Sequence, residues 1–390
     1  MKQQGRRILC IHSGGPILRG SELILLDLLA ELQAGGRELR LLCDQPVLLE
    51  RARELGIAAD RVTTGEVMID RGNRKFNVRG LFRANLQVVR AIRKFRPDVV
   101  YSSSGRALQM SVAAARITRT PIAVHLHAPY TRRYLYLYGT TLCDLVIHCS
   151  EHVRAVHEEK VRFRRSLTIV NAIDERRFPP LDRLPRPHND EPVLGFIGSL
   201  IDRKGVDILI RAVRLLHDRG VKCRLRIAGL DRTGEYPDLA RELRVPAEFI
   251  GEVERCKVAD FFAGVDVHVL PSRSEAFGLT IVEAACCGVP TVAPRVEGIP
   301  EAMLDGRLGI LYESNTPDDL ADAIRQMLGS DWISNRTSMN IARLSRAEFP
   351  LPRAARRLRD VLDGLLGSNS NAAAEPVTRR HARSPEPVRS

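Results

Sequence analysis

Short, almost continuously apolar runs alternate along this chain with longer stretches whose apolar residues recur every three or four positions. The first pattern predicts strands buried on both faces and the second predicts amphipathic helices. Their alternation predicts an α/β protein built on parallel sheets. In the first half the strand-like runs are RILCIH, ELRLLCD, DVVYSS, IAVHLHA and DLVIHCS. In the second they are VLGFIG, KCRLRIAG, EFIG, DVHVL and TVAP. Between the halves, proline and polar residues crowd into PPLDRLPRPHNDEP, Pro179 to Pro192, the composition of a linker. The predicted boundaries are a first domain at 1–180, a linker at 181–192 and a second domain at 193–348. Helical patterns near Ser334–Ser345 and Pro352–Leu366 close the fold, with a last helix inside 349–366. Residues 367–390 are rich in Ser, Asn, Ala, Pro and Arg and predict a disordered tail.

The length of 390 residues suits two domains, and 44% hydrophobic content is that of a globular chain. No apolar run approaches the roughly 20 residues that span a bilayer. MKQQGRRILCIHSGG reads as a first strand rather than a leader, so a cytosolic protein is expected. The eight cysteines show no C-x-x-C, and most sit in apolar surroundings, so they predict reduced core residues.

Charge adds an asymmetry. Residues 1–180 carry 30 Lys and Arg against 17 Asp and Glu, so the whole net charge of +13 lies in the first half. The densest segment, Arg71 to Arg96, sets Leu81, Phe82, Leu86, Val89 and Ile92 at near-helical spacing with arginines between them. It reads either as a surface helix with a solvated basic face or as a dock for an anionic membrane leaflet at the inner face of the membrane. No nucleic-acid-binding signature accompanies the charge, so no nucleic acid is expected.

The chemistry concentrates in PSRSEAFGLTIVEAACCGVP, Pro271 to Pro290. The apolar run before it predicts a strand, then a loop holding Glu275, then a helix holding Glu283. Eight positions are a little over two helical turns, so both carboxylates can address one cleft. Phe277, Gly278 and Leu279 open that helix, and its free N–H groups suit a phosphate. Two hydroxyl-binding carboxylates flanking an anion cradle make a template for a nucleotide-sugar. Gly15 to Ser21 has the spacing G-x4-G-S but lacks the lysine of a phosphate loop, which excludes a nucleoside triphosphatase. His148, His152 and His157 have no accompanying carboxylate pattern, and no metal or other cofactor is expected.

Further segments carry a resemblance. They are GSE at Gly20, HLHAP at His125, NAIDERRF at Asn171, GFIGSLIDRKGVDILI at Gly195, RIAG at Arg226, FIG at Phe249, DVHVLPSRSEAFGLTIVEA at Asp266 and GIPE at Gly298. In this order the chain resembles the family 4 retaining glycosyltransferases. The resemblance implies a glycosyltransferase B fold, two Rossmann-like domains facing a cleft, with the last helix crossing back onto the first domain. It implies a metal-independent, hexosyltransferase-like enzyme that moves a sugar from a nucleoside diphosphate donor to an acceptor hydroxyl. The acceptor class is a glycan or a lipid-linked molecule, in cell-envelope glycan, polysaccharide or glycolipid synthesis. It places Lys204 on the donor diphosphate, Glu275 at the transferred sugar, and Phe277, Gly278, Leu279 and Glu283 along the donor, with Glu283 on the ribose. It places His127 and Gly20 in the cleft of the first domain. Two positions depart from the pattern. Ser199 stands where the family usually has arginine, which leaves a second diphosphate cation to Arg203 or to a first-domain arginine. Glu297 stands where the family often has glycine, close to the expected sugar pocket. Tyr130, Tyr134 and Tyr138 would share one helical face, as an acceptor wall, a membrane-interface patch or core packing. Two other functions share the fold: a nucleotide-sugar epimerase, which needs an acid/base pair, and a non-catalytic sugar-nucleotide or glycan-binding module.

Overall fold

A computed structural model describes residues 6–15, 18–63, 65–69, 74–184 and 191–366. The expected tail at 367–390, the middle of the expected linker at 185–190 and Arg71 lie outside the described residues. The first half contains β1 (Arg7–His12), β2 (Glu38–Cys43), β3 (Ala58–Arg61), β4 (Val67–Ile69), β5 (Arg74–Phe76), β6 (Val99–Ser102), β7 (Ile122–Leu126), β8 (Leu145–His148) and β9 (Ser166–Thr168). The second contains β10 (Val193–Ile197), β11 (Arg224–Ala228), β12 (Ala247–Phe249), β13 (Val267–Val269), β14 (Thr291–Pro294) and β15 (Gly309–Tyr312).

The two main sheets share one plan. Their strand orders are β3-β2-β1-β6-β7-β8-β9 and β12-β11-β10-β13-β14-β15, all parallel. In each sheet the order reverses beside the first strand, at β1/β6 and at β10/β13. Diverging connections at such a point open a crevice at the carboxyl ends of the strands, where ligands bind in doubly wound sheets. One sequence device recurs at the opposite ends. Asp98, Asp144 and Asp266 each stand just before a strand. Each carboxylate accepts the backbone N–H that begins a neighbouring strand: Arg7 at 2.7 Å, Ile122 at 2.9 Å and Val193 at 2.7 Å. A strand-edge N–H left unpaired in these covered sheets would carry a desolvation penalty.

Each domain has its own core. Phe196, Leu209, Ile227, Val267 and Phe277 anchor the second. The faces of the first sheet pack separately, one under the helices Gly20–Ala34 and Leu351–Gly364 and the other under Val78–Phe95 and its neighbours. The helix Leu351–Gly364 therefore returns to the first domain, burying Leu351, Leu358 and Leu362 there, with Asp363 bonded to Arg37 and Arg6. A parallel bridge joins Ile173 to Pro350 at the crossing.

The basic helix differs from its expected pattern. Its buried stripe is Ala84, Val88, Val89 and Ile92, whereas Phe82 is 70% exposed and Leu86 also faces solvent. The cysteines stay free, and all but Cys256 are buried. No described helix is long and apolar enough to cross a membrane.

Candidate active site

The site in the second domain grows out of the switch point. After β10 the chain passes through Ser199 and a short turn, Asp202–Lys204, before the helix Val206–Asp218. Gly205 caps that helix with φ of 67°, and a Cβ there would run into the Pro271 carbonyl. Only glycine permits this approach, and it brings Lys204 against the loop that follows β13. The Lys204 ammonium bonds the Glu275 carboxylate, with both side chains largely withdrawn from water. Arg203 Nη1 lies 3.8 Å from the same carboxylate and donates to the Ser274 carbonyl at 2.6 Å. The structure thus brings Arg203, Lys204 and Glu275 together, while Ser199 is exposed in the loop after β10.

The Glu275 loop is held along its length. Asn315 Nδ2 donates to the carbonyls of Pro271 at 3.1 Å and Ser272 at 3.2 Å, and Tyr312 O–H holds Asn315. Phe277 is buried and meets Phe349 edge to face at 5.6 Å. Gly278 then caps the helix Leu279–Cys286, whose N-terminus carries no side-chain cap. That leaves the N–H groups of its first turn available to an anion.

Glu283 lies on this helix and keeps part of its surface in contact with solvent. Burial pushes its carboxyl up to about 7, Arg255 and Arg177 pull it down, and Asp27 adds to the rise. These neighbours form an interdomain cluster that sequence reasoning missed. Asp27, buried on the first helix, is gripped by Arg177 and by Arg255, whose Nη1 also donates to the Leu23 carbonyl at 3.2 Å. Its signal was weak: a lone acid among apolar residues in LILLDLLA.

Across the cleft, a Cβ on Gly20 would lie 3.8 Å from Leu279, so the first helix of one domain faces the helix opening of the other. Ser150, which caps the helix after β8, donates to the Ala276 carbonyl at 2.7 Å, another contact not foreseen. The Glu151 N–H donates to Glu301 at 2.8 Å, and burial pushes the Glu301 carboxyl up to about 7.

His127 follows β7, and its ring lies 4.1 Å from that of His125. Burial lowers its pKa to about 4, with Glu22 opposing, His12 reinforcing and an Asn171 hydrogen bond opposing, so the ring is neutral near pH 7. His12 and Glu22 were not singled out from sequence. Buried His12 bonds Ser103 at 2.7 Å and sits 3.7 Å from Glu22, whose other oxygen accepts from Ser21 and from the Arg19 N–H. The tyrosine expectation needs correcting. The helix spans only Arg132–Leu137, so Tyr130 precedes it and Tyr138 follows it. The three rings still meet, at 5.4 Å for Tyr130–Tyr138 and 5.4 Å for Tyr134–Tyr138, and Tyr130 stacks on His157. Among the described residues no group of His, Cys, Asp and Glu is placed to hold a metal ion.

Two parallel doubly wound domains with charged groups at facing switch points define an α/β protein of the glycosyltransferase B fold. More than nine-tenths of the chain superposes on solved members of that class. A glycosyltransferase from Rickettsia africae aligns with a TM-score of 0.79 at 17% identity, covering 94% of this chain and 100% of that one. Anabaena HepE in complex with UDP and glucose aligns with a TM-score of 0.76 at 20% identity, covering 92% and 100%. Residues 18–177 match the family model described as Glycosyltransferase Family 4, and residues 191–330 match that described as Glycosyl transferases group 1. The chain belongs to the family 4 glycosyltransferases. Among curated relatives, a D-inositol 3-phosphate glycosyltransferase of Corynebacterium aurimucosum is 36% identical over 179 residues. The match covers 43% of this chain and 42% of that protein, so less than half of the relative is spanned.

Proposed function

We propose that the protein is a retaining, metal-independent glycosyltransferase that moves a sugar from a nucleoside diphosphate donor to an acceptor hydroxyl. The observation that carries this reading is the Lys204–Glu275 pair at the second switch point, beside an uncapped helix N-terminus whose Leu279 faces Gly20 across the cleft. A donor diphosphate takes the Lys204 ammonium, assisted by Arg203 and the N–H groups of the Leu279 helix, which offset the charge of the leaving group. Glu283 accepts the ribose hydroxyls. Glu275 orients the sugar and favours positive charge at its anomeric carbon. The acceptor oxygen bonds that carbon as the carbon–diphosphate bond breaks, and the acceptor proton passes to the departing diphosphate. Neutral His127 lines the sugar from the first domain. The UDP bound to Anabaena HepE supports a nucleotide-sugar donor. The name of the Corynebacterium relative supports a hydroxylated, phosphorylated acceptor as one candidate beside a glycan or glycolipid.

The acceptor is carried on, or works near, an anionic lipid surface at the cytoplasmic face. The helix Val78–Phe95 contains no acidic residue, and among the described residues Arg79, Arg83, Arg90, Arg93 and Lys94 pair with no carboxylate. Phe76 is 62% exposed, and Val78 and Phe82 project beside these cations. Interleaved cations and apolar side chains suit a lipid headgroup boundary, to which each cation adds about 1 kcal/mol. Incubation with a panel of nucleoside diphosphate sugars and polyol, polyol phosphate and lipid-linked acceptors, with and without EDTA, tests the reaction. The expected product keeps the donor's anomeric configuration, and its yield survives EDTA. An inverted product, or activity lost with EDTA and restored by Mg²⁺, overturns it.

A further inference from the structure

We infer that Glu297 is a positioning residue for Glu275, its carboxylate setting the loop from which Glu275 meets the transferred sugar. The inference rests on the proposed role of Glu275 and concerns a position where this chain departs from its family's glycine.

Glu297 adopts φ of 48°, in the left-handed region. A side chain is strained there and persists only where its surroundings over-determine it. Here the surroundings are specific. Glu297 Oε2 accepts the Ser274 hydroxyl at 2.8 Å and the Glu275 backbone N–H at 2.8 Å. The next residue completes the bracket, because the Gly298 N–H donates to the Glu275 carbonyl at 3.0 Å. Both peptide groups flanking the Glu275 Cα are therefore tied to two consecutive residues of one turn. A Cβ on Gly298 would run into the Ala276 carbonyl, so the turn packs directly on the loop backbone.

The two ends of Glu275 are thus fixed by different charges. Its backbone is held by the Glu297 carboxylate and its side chain by the Lys204 ammonium. When a donor diphosphate draws on Lys204, the side-chain tie weakens, and the backbone tie keeps the carboxylate aimed. Charge-assisted hydrogen bonds to main-chain N–H groups suit this task, being shorter and about twice as strong as neutral ones. A carboxylate turned onto the loop backbone through Oε2 also gives Glu297 a role other than sugar selection.

Two substitutions test this. Glu297→Gly suits the left-handed backbone, so the fold survives while the acceptor is removed. Glu297→Gln retains an oxygen that accepts both hydrogen bonds. Losing a hydrogen bond to a charged group corresponds to about tenfold to a hundredfold. In Glu297→Gly, kcat is expected to fall by about that factor. The dissociation constant for nucleoside diphosphate should move less than about twofold, and Tm should hold or rise. Glu297→Gln should recover turnover to within about threefold of the parent. In a Glu275→Gln background, Glu297→Gly should add less than about twofold, because both act through one group. Full turnover in Glu297→Gly overturns the inference, as does Glu297→Gln being as slow as the glycine variant. Undiminished loss in the Glu275→Gln background, or a changed donor-sugar preference at parental kcat, overturns it too. If Glu275→Gln itself turns over normally, the role of Glu275 fails first and the inference falls with it. A slow Glu275→Gln beside a fast Glu297→Gly sinks the inference alone.

Discussion

The two domains share a strand order but use it differently. In the second, the residues after the switch point form a tightly tied loop. Lys204, Arg203, Asn315, Glu297 and Gly298 all bond the five residues from Pro271 to Glu275. In the first, the equivalent end of the sheet holds buried, neutral histidines beside Glu22 and an aromatic cluster, while a run of cations lies outside on the helix Val78–Phe95. A nucleotide offers the same charged diphosphate every time, so a rigid cation-and-dipole cradle can be built for it in advance. An acceptor offers hydroxyls, for which neutral rings and aromatic faces suffice.

Aromatic burial breaks or sustains the contrast most strongly. Phe277 is 1% exposed and bridges the donor loop to Phe349. Phe277→Ala should lower stability by about 3–5 kcal/mol in urea unfolding, and a loss below about 1 kcal/mol would mean that the loop is not held by its core. The next largest effect is on turnover. Lys204→Ala removes the cation meant for the leaving group, and kcat should drop by about a hundredfold to a thousandfold. Parental kcat in that variant would move the leaving-group cation to Arg203 or to the first domain.

Glu283 sharpens the contrast through pH. Its carboxyl is raised from 4.5 to about 7, so the folded protein holds this proton more tightly than the unfolded chain does. By linkage, its contribution to stability is present below the ordinary value and is lost as pH rises through about 7. Ribose hydroxyls donate to the ionised form, so nucleoside diphosphate affinity should rise over the same window. Calorimetry of Glu283→Gln should show affinity about tenfold weaker or more at pH 8, with this pH dependence gone. An unchanged affinity would remove the ribose role.

The architecture was legible because parallel strands buried on both faces are nearly continuous apolar words, and ten such runs stand out. The strands that escaped notice are short and mixed, such as AADR at β3, SLT at β9 and GILY at β15, or belong to the small β4/β5 hairpin. In the donor site, Glu275 and Glu283 sit in one local strand–loop–helix stretch, so their spacing points to them, whereas Lys204, on the turn after β10, was named through the family resemblance. Asp27 and Ser150 act across the domains, and Glu22 faces His12 and His127 from another element of the first domain; no local periodicity marks such partners. Glu297 was noticed as a departure from glycine, but its hydrogen bonds to the loop appear only in three dimensions.

The basic helix shows why an apolar residue at helical spacing need not be core. Phe82 and Leu86 fit an apolar stripe on paper, yet Ala84, Val88 and Ile92 form the face that packs, and small Ala84 lets the helix lie close to its neighbours. Phe82 is left 70% exposed, with arginines on either side. Little of its surface leaves water on folding, so Phe82→Ser should change stability by less than about 0.5 kcal/mol, against the several lost at Phe277. The same substitution should weaken sedimentation with vesicles containing anionic phosphatidylglycerol while leaving nucleotide affinity unaltered, because the helix lies on the sheet face remote from the donor cradle. A stability loss of about 2 kcal/mol or more would show that Phe82 is packed in solution. It would also return the first domain's basic helix to an ordinary structural role.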